Sequence, residues 1–103
     1  MVDVVMTLEK RPRFRRVVGS YYIYYNPMAE SYDRGGTFGF YENDTFTIRD
    51  VPEKSKLKIE IAARPGLKRT YEFIVASGKS AEIPTFFYVV KLNNVVPALG
   101  GGE

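Results

Sequence analysis

The chain has 103 residues, 45% of them hydrophobic, and 15 Lys and Arg against 12 Asp and Glu, the proportions of one soluble globular domain with a net charge of +3. Cys and His are both absent, which excludes disulfides, thiolate chemistry, cysteine zinc sites and histidine acid–base catalysis, so neither an enzyme nor a bound cofactor or metal is expected. Gln and Trp are missing too, a thermophile-like composition poor in labile residues.

The opening MVDVVMTLEK has Asp3 and no apolar run ahead of its first charge, so no secretory signal is expected. No stretch approaches the roughly 20 apolar residues of a membrane span. The default expectation is a cytoplasmic protein; a virion component or a processed extracellular protein reads the same way. A first strand is predicted over 2–8 and a second over 14–25, inside KRPRFRRVVGSYYIYYNP (10–27). There five basic residues, Lys10, Arg11, Arg13, Arg15 and Arg16, precede Tyr21, Tyr22, Tyr24 and Tyr25. Alternation turns Val17, Tyr21, Ile23 and Tyr25 inward and Tyr22 and Tyr24 outward. Gly19, within the strand, reads as a bulge or a barrel bend.

NPMAESYD (26–33) is too short for a convincing helix and ends in Arg34-Gly35-Gly36. Further strands are predicted at 37–41 and in TFTIR (45–49), where Phe46 and Ile48 point inward. LKIEIAAR (57–64) alternates most strictly, with Leu57, Ile59, Ile61 and Ala63 against Lys58, Glu60, Ala62 and Arg64. TYEFIVA (70–76) and 83–92 complete the set. The intervening END, DVPEKS, RPGLK and SGK carry turn chemistry, SGKS (77–80) as a hairpin turn. VVPALGGGE ends the chain with Pro97 and three consecutive glycines, so residues 1–95 are expected to fold and 96–103 to fray. About seven short strands without a helix predict an all-β, mainly antiparallel β-sandwich, with a small OB-like β-barrel as the alternative.

The block from TFGFYENDTFTIRDVPEKSKLKIE to the end of EIPTFFYVVKL resembles the transthyretin-like sandwiches typified by carboxypeptidase regulatory domains. Phe46, Ile48, Val51, Pro52, Leu57, Ile59, Gly66 and Gly78 fall in the family's order of strands and turns. Where the family has an Asp-x-x-Gly turn, this chain has Glu42, Asn43, Asp44 and Thr45. The resemblance implies a non-catalytic accessory or assembly module and transfers no active site. An immunoglobulin-like sandwich of other descent has the same rhythm.

Two surfaces are candidates for function. Lys10, Arg11, Arg13, Arg15 and Arg16 would neutralise the phosphates of a nucleic acid, with exposed tyrosines stacking on unpaired bases. Against this stands the high strand propensity of tyrosine, which needs no ligand. EIPTFFYVVKL is apolar on both faces, Phe86, Tyr88, Val90 and Leu92 on one and Ile83, Phe87 and Val89 on the other. A sandwich covers one face of each sheet, so the excess points to a partner chain. Tyr22, Tyr24, Phe86 and Tyr88 are the expected interface residues of a homo-oligomer or a complex with another protein. The loop carboxylates Asp33, Glu42, Asp44, Asp50 and Glu53 match no EF-hand spacing and read better as turn caps than as a calcium site. SGKS lacks the frame and the following helix of a phosphate loop. The expected function is a structural, self-associating protein–protein interaction module; the alternative is single-strand nucleic-acid binding.

Overall fold

The computed structural model describes residues 1–9, 17–40, 44–64, 67–85 and 88–98. They form seven strands: β1 (Val2–Leu8), β2 (Val17–Tyr24), β3 (Arg34–Phe40), β4 (Thr45–Val51), β5 (Lys56–Arg64), β6 (Leu67–Pro84) and β7 (Val89–Pro97). All neighbours pair antiparallel in a single sheet of order β3-β2-β5-β6-β7-β1-β4. The expected all-β architecture is present and takes the form of the barrel alternative: one sheet curls until its edges, β3 and β4, nearly meet. Among the described residues no helix is long and apolar enough to cross a membrane.

Alternation fills the interior. Val4, Met6 and Leu8 of β1, Leu57, Ile59 and Ile61 of β5, and Val90 and Leu92 of β7 are all at most 1% exposed. Full burial of one such side chain contributes about 1.5–3 kcal/mol. Their half-buried neighbours on the same strands, Lys58 and Glu60 among them, face outward as the period of two requires.

The main differences from the sequence expectation each have a physical reason. β3 starts at Arg34 rather than 37, because Gly35 and Gly36 pair with Tyr22 and Tyr21, whose rings lie against them. SGKS is not a hairpin turn. β6 runs through it with a register shift between Val75 and Ser80, Gly78 takes φ 82°, and its N–H donates to Asn94 Oδ1 at 2.8 Å. The stretch 83–92 is in turn two strands, since Thr85 N–H donates to the Tyr88 carbonyl at 2.9 Å and closes a turn between β6 and β7. Ile83, Val90 and Leu92 therefore belong to two strands that meet in register at Ile83 and Val90 and share one core with Tyr88, while Phe86 and Phe87 lie outside the described residues. β7 also continues past 95: Val96 and Pro97 pair with Ile74 and Phe73, and Ala98 N–H donates to the Glu72 carbonyl at 3.0 Å. Fraying thus does not begin at 96; residues 99–103 lie outside the described residues.

The seam between β3 and β4 is held by side chains. Arg34, the first residue of β3, donates from Nη1 to the Asp50 carbonyl at 2.9 Å and from Nη2 to the Arg49 carbonyl at 2.8 Å. Phe46 of β4 packs on Phe38 of β3 and Tyr21 of β2, with ring centroids 5.7 and 5.9 Å apart. A guanidinium spans two carbonyls as an ammonium cannot. Arg34→Met is expected to destabilise the fold by about 1–2 kcal/mol, since the freed carbonyls are rehydrated, and Arg34→Lys to recover less than half of that. Urea unfolding midpoints check both values; full recovery by lysine would mean that the seam needs only a charge.

Candidate binding face

Outside the barrel, β2 and β5 place their outward side chains in register: Tyr22 opposite Lys58 and Tyr24 opposite Lys56. β5 begins where it does because the preceding corner is stapled to β6: Lys54 N–H donates to the Val75 carbonyl at 2.8 Å and Val75 N–H returns to the Ser55 carbonyl at 2.9 Å. Lys56 Nζ then stands 4.5 Å from the Tyr24 ring centroid, and Lys58 Nζ 5.7 Å from Tyr24 and 5.9 Å from Tyr22. These are cation–π distances, each contributing about 0.5–1 kcal/mol at an exposed site.

The third ring comes from the β2–β3 loop. Asn26 folds it, its side-chain oxygen accepting from Met28 N–H and its carbonyl from Ala29 N–H, both at 3.0 Å. Asp33 closes it, accepting from Tyr25 N–H at 2.9 Å while its own N–H donates to the Ile23 carbonyl at 2.8 Å. Tyr32 is thereby laid over Gly35, 4.9 Å from the Tyr22 ring and 6.4 Å from Tyr24. A Cβ on Gly35 would sit 3.1 Å from the Tyr32 ring, so glycine leaves the floor on which that ring rests. Tyr25, Met28 and Tyr32, at 46, 86 and 52% exposed, put most of the exposed large apolar side chains of the described residues into this one loop.

The interface residues expected from sequence are dispersed. Tyr22 is half-buried in the cluster, and Tyr24, only 6% exposed, is covered by Tyr32 and Lys56 of its own chain. Tyr88 is a correction: it is 5% exposed and packs in the core, because the turn at Thr85 reverses the chain before it. Phe86 lies outside the described residues, as do Lys10, Arg11, Arg13, Arg15 and Arg16. Tyr21 and Ile23 face inward as expected; Tyr25 does not, since β2 ends at Tyr24 and the Asp33 cap takes over its N–H. Among the described residues no group of three or more acidic side chains is placed to hold a metal. Asp33 serves as a cap, and Asp3 Oδ1 accepts from Asp50 N–H at 3.0 Å. Sequence reasoning missed Tyr32, Met28, Lys56 and Lys58. The outward alternation of Lys58 was visible, but the strand beside it was not.

Burial pushes the Tyr88 phenol above its ordinary pKa, with Tyr71 acting in the same direction and Arg69 and Thr85 opposing. Above pH about 10 the unfolded chain releases a proton that the folded chain retains, so the contribution is complete below that pH and is lost as pH rises further. Comparing urea midpoints at about pH 8 and about pH 11, Tyr88→Phe is expected to lose less stability than the wild type. An equal loss in both would place the alkaline transition on other groups.

The molecule is thus a nearly closed antiparallel β-barrel with an aromatic and cationic patch on its outer wall. No protein-family model, curated protein or solved structure matches the chain.

Proposed function

We propose that this protein is a non-catalytic binding module whose contact face is the outer wall of β2 and β5 together with the loop 25–33. The observation that carries the reading is the concentration of exposed Tyr25, Met28 and Tyr32 beside Tyr22 on a loop fixed by side-chain caps. Tyrosine and methionine supply large contact area, and a rigid loop loses little entropy on binding.

Solution mass, measured at low and high salt with and without a short oligonucleotide, tests the reading. The wild type should exceed the mass of one chain in at least one condition, and Met28→Ser with Tyr32→Ser should return it to that mass with its cooperative melt intact. A wild type monomeric throughout, or a double variant that assembles undiminished, overturns it.

A further inference from the structure

Resting on the contact face just proposed, we infer that its occupant is single-stranded nucleic acid, with a base stacked on Tyr32 and phosphates held by Lys56 and Lys58. The surface combines the two elements that such a ligand requires. Tyr32 offers a half-exposed ring whose orientation is set by Tyr22, Tyr24 and the Gly35 floor, so stacking adds a contact without first ordering the side chain. Lys56 and Lys58 make no ion pair among the described residues, although Glu72 stands opposite Lys58 on β6. Two residues apart on one strand, they lie about 6.6 Å from each other along β5, comparable to one backbone repeat of an extended single strand.

The carboxylates nearby favour the same track. Asp33 is engaged by the Tyr25 N–H, Glu72 stands on β6 beside Lys58 and away from the tyrosines, and Glu60 follows Lys58 on β5, opposite Ser20 of β2, where it ends the cationic row. Glu30 and Glu53 are exposed, in the β2–β3 loop and at the corner before β5. A polyanion therefore runs along the Tyr24–Lys56 and Tyr22–Lys58 rows rather than across β6. The described residues supply no helix to enter a duplex groove, whereas an outward ring on a sheet suits unpaired bases.

The test is fluorescence polarisation with a labelled oligothymidylate of about 12 nucleotides and, in parallel, a duplex of equal length. Wild-type affinity for the single strand should exceed that for the duplex and fall with salt at a log–log slope of about −1.4 for two phosphate contacts. Tyr32→Ala should weaken single-strand binding about five- to hundredfold and Tyr32→Phe should retain it. Lys56→Glu with Lys58→Glu should weaken it at least about tenfold and flatten the slope. A thermal melt of each variant separates lost binding from lost folding. Undiminished binding by a folded Tyr32→Ala or double-lysine variant overturns the assignment and locates the affinity elsewhere, the basic residues 10–16 being the first candidate. No binding, together with a wild-type oligomer that Tyr32→Ala dissociates, overturns the nucleic-acid assignment while the contact face stands as a self-association surface. No binding and a monomer throughout overturn both.

Discussion

Alanine in place of Gly19 is expected to destabilise the fold by about 3 kcal/mol or more, at the upper end for overpacking, lowering the melting temperature by about 12–24 °C for a domain of this size. A Cβ there would overlap the Glu60 carbonyl oxygen and stand 2.7 Å from the Phe38 ring. The first contact is with backbone, so no rotamer change relieves it, and β5 or β2 must move. Phe38 is 6% exposed and also packs on Phe46 across the seam, so displacing its ring loosens barrel closure. Gly39, whose Cβ would meet a Val18 methyl at 3.3 Å and the Val17 carbonyl oxygen at an ordinary 3.8 Å, is the control, and alanine there should stay within about 1 kcal/mol of the wild type. Differential scanning calorimetry of the two variants decides. Equal melting temperatures would mean that the strands yield at little cost.

The role of Gly19 illustrates what was legible in the sequence. A glycine inside a tyrosine-rich strand was readable as special, but as a bulge or bend. The register of β2 instead runs unbroken past it, pairing with Phe38 on one side and Ile61 on the other. What the position requires is close approach of an aromatic ring and a carbonyl from two other strands. Local pattern identified β1 and β5 almost to the residue, because Val4, Met6 and Leu8, or Leu57, Ile59 and Ile61, carry a period of two that needs no partner to be seen.

Where a distant residue decides the local conformation, the pattern fails. SGKS has hairpin composition, yet Asn94 of β7 supplies the acceptor that lets Gly78 continue one strand. The turn at Thr85 sits inside an apolar run and depends on the Thr85 hydroxyl, which accepts from Tyr88 N–H at 3.0 Å and donates to its carbonyl at 2.8 Å. The binding face was hidden for the same reason. β2 pairs with β5 across two intervening strands of sequence, and only that pairing sets Tyr24 beside Lys56 and Tyr22 beside Lys58. Tyr32, in a stretch without periodicity, gains its place from the Asn26 and Asp33 caps, whose composition announced a loop but not its shape.

The second large effect separates the two faces of β2. Ile23 is fully buried between Arg34 of β3 and Leu57 of β5, so Ile23→Ser removes its apolar volume, leaves a cavity and adds a hydroxyl without a prepared partner. The expected cost is about 3–5 kcal/mol, a large part of the 5–15 kcal/mol that holds an ordinary domain. Tyr22→Ser with Tyr24→Ser removes more atoms but from the outer wall. It forfeits two ring contacts with Tyr32, the lysine contacts and the burial of the Tyr24 ring, but leaves the interior cluster of the barrel untouched, so its cost is expected to fall below that of Ile23→Ser. The double variant should therefore melt cooperatively at a temperature between those of the wild type and Ile23→Ser, with weakened oligonucleotide binding because Tyr32 has lost its support. Chemical denaturation of the two proteins side by side gives the order. If the double variant were the less stable, the outer cluster of Tyr22, Tyr24, Tyr32, Lys56 and Lys58 would be a second core on the barrel wall. The exposed ring of Tyr32 would then be the rim of a structural cluster rather than a platform for a ligand.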